Sequence, residues 1–247
     1  MKTVVLKFGG SVINSIESFH EIAHSIAERK KRECHICIVV SAMYKTTENL
    51  LGLAKYVSKS PSLRELDALV TTGEVISASL LAIALNDIKI PAISLTGKQA
   101  GILTDSNFTD GNILAVSSKL VLKLMNEGTI PILTGFQGVN LNDEVVSLGR
   151  GGSDLTAVAI GAALNADTIE FYKDVSGIYS PSNLSDCLNN KAIAYLNYFE
   201  ALSLIRQGSH HVICEKAIKY AEKYNVKLRV CSLYGLHNTL EGTFIHA

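Results

Sequence analysis

Short β-branched apolar runs recur along the chain and are separated by longer stretches with helical spacing. Thr3–Phe8, Ile36–Ser41, Ile90–Leu95, Ile130–Thr134, Thr168–Tyr172 and Lys227–Cys231 read as strands. Most are apolar at successive positions, the pattern of a sheet covered on both faces. The intervening stretches Ile16–Lys31, Thr47–Ser58, Leu63–Asn86, Asn112–Glu127, Asp154–Asn165, Tyr198–Arg206 and Ile213–Tyr224 read as helices. Asn14 or Ser15 is placed to cap the first of these, with Glu17 and Ser18 in its opening turn. The alternation predicts an α/β fold, an open and mostly parallel sheet sandwiched between helices. One stretch interrupts it: Phe136–Leu148 carries Asn142-Asp143 between two short apolar segments, the mark of a β-hairpin. With no linker or repeat in view, residues 1–247 read as a single domain. Its two lobes, about 1–150 and about 151–247, are expected to meet near Gly149–Ser153.

Composition narrows the classes of function. Twenty-three Lys and Arg balance 23 Asp and Glu, so there is no electrostatic footprint for nucleic acid or an anionic membrane surface. The longest apolar run, Val75–Leu85, falls well short of the roughly 18–20 residues that cross a bilayer. Five scattered Cys read as reduced thiols, which predicts a cytoplasmic location.

In open α/β sheets ligands sit beyond the carboxyl ends of the strands, so the loops there carry the candidate chemistry. Lys7-Phe8-Gly9-Gly10-Ser11 places a Lys at a strand end, then paired glycines. That order suits phosphate, since glycines let the backbone approach closely, free N–H groups face the anion and the Lys adds a point charge. It is neither a Walker A loop nor a dinucleotide Gly-x-Gly-x-x-Gly motif. A tight strand-to-helix turn with a solvent Lys accounts for the same residues. Gly149-Arg150-Gly151-Gly152-Ser153-Asp154 puts a guanidinium and helix N–H groups near one point, a receptor for carboxylate or phosphate; a Gly-rich turn with a good helix cap accounts for Ser153 and Asp154 but not for Arg150 between glycines. Tyr172–Tyr179 follows a buried strand, and its aromatic and turn residues suit a wall of a purine site as well as an ordinary turn. In Thr71-Thr72-Gly73-Glu74 the Gly weakens a helix and suggests a break that aims Glu74 at a ligand; otherwise Glu74 reads as a solvated helix residue.

Together these segments resemble the amino acid kinase family, and within it the aspartokinases. The resemblance runs in family order through Lys7–Ser11, Val39–Met43 with Thr46-Thr47, Thr71–Glu74, Ser94–Asp105, Gly135–Gly138 and Leu148–Thr156, and ends near residue 180. It implies the family's fold, with the acceptor site in the N-terminal part and the nucleotide site in the C-terminal part. It also implies a reaction, transfer of the γ-phosphoryl of ATP, with Mg²⁺, to the side-chain carboxylate of L-aspartate. By that resemblance Lys7 neutralises the phosphoryl group, and Asp154 orients Lys7 and helps organise Mg²⁺. Ser41, Thr47, Glu74, Arg150 and Ser153 hold the amino acid, Glu74 facing its ammonium and Arg150 a carboxylate. Gly9, Gly10, Ser11, Lys173, Asp174, Tyr179 and His211 hold the nucleotide, with Gly9 and Gly10 donating backbone N–H groups. No protein metal site is implied, and a homo-oligomer is compatible with the pattern.

The nucleotide half departs from the family pattern. Lys173 stands where many members have Thr, Ser182-Asn183-Leu184 replaces Asp-Pro-Arg, and His211 replaces a Lys. Only the catalytic domain is expected, without the ACT domains that usually follow it. A kinase for another small amino acid or acidic metabolite, and an amino-acid-binding relative with weak nucleotide affinity, share these residues. Cys34-His35-Ile36-Cys37 has no second Cys pair at zinc-ribbon distance, and His210, His211 and Cys214 lack an evident fourth ligand.

Overall fold

A computed structural model describes residues 2–31, 35–179, 192–207, 212–233 and 241–247. Eight strands form the main sheet: β1 (Thr3–Phe8), β2 (His35–Val40), β3 (Ala92–Leu95), β6 (Ile130–Thr134), β9 (Thr168–Lys173), β10 (Tyr195–Leu196), β11 (Leu228–Ser232) and β12 (Thr243–Ile245). Their order is β10-β12-β11-β9-β1-β2-β6-β3, and only the β11–β12 pair is antiparallel. Four shorter strands, β4 (Ile102–Thr104), β5 (Ile113–Val116), β7 (Gln137–Val139) and β8 (Val145–Ser147), make a second sheet. The predicted hairpin is the antiparallel β7–β8 pair.

The helices are α1 (Glu17–Lys30), α2 (Thr46–Val57), α3 (Leu63–Val70), α4 (Thr72–Asp87), α5 (Lys119–Asn126), α6 (Gly152–Ala163), α7 (Tyr198–Arg206) and α8 (Glu215–Tyr224). Alternation along β1 divides the core. Val4, Leu6 and Phe8 pack with Phe19 and Ile22 of α1 and Leu81 and Leu85 of α4. Val5 packs on the other face with Ala157 and Ile160 of α6 and Ile218 of α8. Period-2 geometry therefore sends Lys7 toward α6 rather than α1.

Three local expectations need correction. Asn112–Glu127 is not one helix but β5 followed by α5. Its apolar residues fit either period, and antiparallel pairing with β4 decides for the strand. The Leu63–Asn86 helix breaks at Thr71, before Gly73. Neither Asn14 nor Ser15 caps α1 through its side chain; the N-cap is Ile16, and the Ser18 hydroxyl donates to the Ser15 carbonyl. The stretch Leu63–Asp87 has the length and apolar composition of a membrane span, yet 56% of that window is buried in the fold.

One buried charge cluster gave no signal in the sequence. Glu170 of β9 takes a two-pronged pairing from Arg29 of α1, both N–O distances being 2.7 Å. Arg229 of β11 reaches the same carboxylate at 3.2 Å, and the Tyr172 hydroxyl also donates to it. Burial alone would raise the Glu170 pKa, but Arg29, Tyr172 and Arg229 together hold the carboxyl below its ordinary range. The cluster ties α1 to β9 and β11. Removing the shared carboxylate takes a counter-ion from two buried guanidinium groups, a loss of about 3–5 kcal/mol. Glu170→Ala is thus expected to lower the urea-unfolding free energy by that amount, and a loss below about 1 kcal/mol would contradict this reading.

Candidate active site

β1 and β9 are parallel neighbours, with Phe8 opposite Tyr172. Lys7 and Lys173 therefore leave the sheet on the same face, beneath the N-terminus of α6. Asp154, in the first turn of α6, lies between them. Its Oδ1 is 2.6 Å from Lys7 Nζ, and both its oxygens are 3.2 Å from Lys173 Nζ. Lys7 and Asp154 are almost wholly buried. Burial pulls the Lys7 pKa down to about 8, with Asp154 opposing and Lys173 adding to the fall. For Asp154 burial acts upward, but Lys173 and Lys7 together hold the carboxyl below its usual value. The trio is thus two ammonium groups on one carboxylate, with net positive charge at a helix N-terminus, a setting that attracts an anion.

The backbone here supplies donors. Among the described residues, no acceptor is met by the N–H groups of Gly10, Ser11 or Ser153. Gly9 is different: its N–H donates to the Tyr172 carbonyl at 3.2 Å. The expectation that Gly9 offers its N–H to phosphate is therefore corrected, because that N–H closes the β1–β9 ladder. The Ser11 hydroxyl donates to Asp174 at 3.2 Å, which joins the loops after β1 and β9.

The same cleft carries Glu74, in the first turn of α4. Gly73 is what lets this helix approach: a Cβ there would lie 2.8 Å from the Ala42 Cβ. The Ala42 N–H donates to Glu74 Oε1 at 3.1 Å, while buried Oε2 has no partner. Burial pushes the Glu74 pKa up to about 7. A buried carboxylate with an unused oxygen is a receptor for a cationic group. Arg150 stands exposed between Gly149 and Gly151, both left-handed at φ 73° and 74°. The second of these is required, since a Cβ on Gly151 would meet the Cys214 Cβ at 2.3 Å.

One cleft of about 1090 Å³ gathers Lys7, Gly10, Ser11, Ser41, Thr47, Glu74, Arg150, Ser153, Asp154 and Lys173. Tyr179 is half-buried and is not among the lining residues. Tyr172 turns to the α1 face, fully buried and stacked on Phe8, so it walls no purine site. His211 and the 182–184 segment lie outside the described residues. Sequence reading missed Asp67, wholly buried yet part of the cleft wall, and the Lys216–Asp110 ion pair at its edge. Neither has a motif around it; their partners come from segments distant in sequence.

The sequence pattern of the amino acid kinase family matches residues 2–232. The chain belongs to that family. Among amino acid kinases it is similar to an aspartokinase of Bacillus sp. (strain MGA3), 41% identical over 94% of this chain and 56% of that protein. An aspartokinase of Corynebacterium glutamicum is 42% identical over 95% of this chain and 55% of its own length. This amino acid kinase chain thus spans little more than half the length of these curated relatives. The crystal structure of aspartate kinase from Synechocystis superposes with a TM-score of 0.85 at 34% identity, over 99% of this chain and 40% of that one.

Glu74 carries a stability cost that can be measured. Its folded pKa, about 7, lies above the ordinary 4.5. A raised carboxyl pKa means stability that is present at low pH and lost as pH rises from about 4.5 to 7. Gln imitates the neutral acid and escapes this loss. Glu74→Gln is expected to stabilise the free protein at pH 8 by up to about 3 kcal/mol, and hardly at all at pH 4.5. Thermal unfolding at both pH values checks it; a Gln variant less stable than wild type at pH 8 would contradict it.

Proposed function

We propose that this chain is an ATP-dependent kinase that phosphorylates the side-chain carboxylate of L-aspartate. The observation that carries this reading is the meeting of two sub-sites in one cleft. The Lys7–Asp154–Lys173 trio with its free N–H groups makes an anion site. Glu74 and Arg150 line the same cleft and offer one anionic and one cationic pole, and an α-amino acid presents both charges. Similarity to aspartokinases of Bacillus and Corynebacterium supports aspartate as the acceptor. In this reading residues 1–150 provide the acceptor lobe and residues 151–247 the nucleotide lobe.

The chemistry needs little from the protein beyond position and charge. An aspartate carboxylate is ionised at neutral pH, so no general base is required. One of its oxygens forms a bond to the γ-phosphorus, the bond to the bridging oxygen breaks, and ADP leaves with that electron pair. Glu74 takes the ammonium of the amino acid, and Arg150 takes the carboxylate that does not react. Ser41, Thr47 and Ser153 complete the acceptor wall. Lys7 stays near the transferring group because Asp154 holds it, and Gly10 and Ser11 donate N–H groups to phosphoryl oxygens. Lys173 adds a second ammonium, and Asp174 fixes Ser11.

No cluster of three or more metal-ligating side chains occurs among the described residues. Asp154 is the carboxylate at the anion site, and both its oxygens already face lysines. This donor set suits Mg²⁺ that arrives on the nucleotide phosphates as part of the substrate, with at most one protein carboxylate near it.

Hydroxylamine trapping with MgATP across a panel of amino acids tests the reading. A hydroxamate is expected with L-aspartate and little with glutamate; turnover of another acid while aspartate is ignored would overturn it. Arg150→Ala is expected to raise the aspartate KM roughly 10- to 150-fold, the worth of one charge-assisted contact, with less effect on kcat.

A further inference from the structure

Asp67 is fully buried on α3, borders the cleft and takes no part in the chemistry above. Its carboxylate accepts three hydrogen bonds. The Ser147 hydroxyl donates to Oδ1 at 2.7 Å, and the N–H groups of Ser147 and Thr109 donate to Oδ2 at 2.8 and 2.9 Å. Ser147 ends β8, three residues before Arg150. Thr109 has φ 73°, a left-handed conformation that a β-branched residue adopts only under restraint. The Thr109 turn is fastened to the same strand end, since the Gly111 N–H donates to the Ser147 carbonyl at 2.8 Å.

The other end of the connection leads to Glu74. Both the N–H and the hydroxyl of Thr71 donate to the Asp67 carbonyl, at 3.2 and 2.7 Å. The Thr71 carbonyl in turn accepts from Gln137 Nε2 of β7 at 3.0 Å. The turn that starts α4, and with it Glu74, is therefore locked to the residue whose side chain holds the approach to Arg150.

We propose that Asp67 is a positioning residue that fixes where Arg150, together with Glu74, grips the ammonium and the non-reacting carboxylate, and so the reach from that grip to the Lys7 site that a side chain must span. This rests on the aspartate-kinase reading, because the two poles must grip one substrate. An Asn at this position keeps the shape but removes the charge: with its oxygen on the Ser147 and Thr109 N–H groups, its NH₂ meets the Ser147 hydroxyl, which must turn to accept. All three bonds then lose their charge-assisted strength, and the anchor shared by the Ser147 strand end and the Thr109 turn weakens. Glu74 and the phosphate side of the cleft keep their own contacts.

Steady-state kinetics of Asp67→Asn and Ser147→Ala, each checked for folding by circular dichroism, provide the test. Asp67→Asn is expected to raise the aspartate KM roughly tenfold or more, the worth of hydrogen bonds to a charged group. The KM for ATP and kcat should stay near wild type, and the preference for aspartate over glutamate should narrow. Ser147→Ala should shift the same two quantities in the same direction by less, and it decides the matter alone if Asp67→Asn does not fold. A folded variant with unchanged aspartate KM and unchanged preference overturns the proposal. So does a uniform loss, in which both KM values and kcat worsen and the preference holds, because that is the mark of a merely structural role. The wild-type run separates two failures: no transfer to aspartate overturns the functional reading and this inference with it, whereas an aspartate-active wild type with unaltered variants overturns the inference alone.

Discussion

A single buried carboxylate, Asp154, organises this molecule. Buried on a central strand without partners, Lys7 would lose its charge to desolvation. Asp154 counters that, and it is available because α6 begins directly above the ends of β1 and β9. The arrangement is costly in stability, since two ammonium groups share one anion away from water. What it provides is a fixed positive point at a helix N-terminus, already desolvated and aimed into a cleft. In the proposed reaction such a point would stabilise developing phosphoryl charge without reorganising.

Glu74 shows the same exchange on the acceptor side. Its buried, unpartnered oxygen and raised pKa are liabilities in the free protein. In the proposed reading they would become assets once the ammonium of the amino acid arrives, because buried Oε2 has no competing bond to give up. The fold tolerates both liabilities through rigid supports elsewhere. The Arg29–Glu170–Arg229 cluster fastens α1 to β9 and β11, and the Asp67 hydrogen bonds fasten α3 to the rim of the cleft.

Much of this was legible in the sequence because the main strands are apolar on both faces and the site residues follow strand ends. β1, β6 and α7 have the boundaries that their patterns predict, and Lys7, Glu74, Arg150 and Asp154 meet in one cleft. The losses have physical causes. β5 reads as helix because pairing, not period, makes it a strand. The Gly9 N–H looks free until β9 is placed beside it. Tyr172 was ambiguous because strand alternation, not the residue type, decides which face it takes. Asp67 and Glu170 draw their roles from partners 80 and 141 residues away, a separation that no local pattern encodes.

The central claim is that Lys7, held by Asp154, acts on the phosphoryl group and not on the amino acid. Lys7→Met, which keeps length and removes charge, separates these roles when single-turnover phosphoryl transfer is compared with calorimetric binding of L-aspartate. The account predicts transfer slowed on the order of 10²–10³-fold, the worth of one preorganised charge-stabilising donor, with aspartate affinity nearly unchanged. Transfer that persists at the wild-type rate, or a variant whose main defect is loss of aspartate binding, would contradict it.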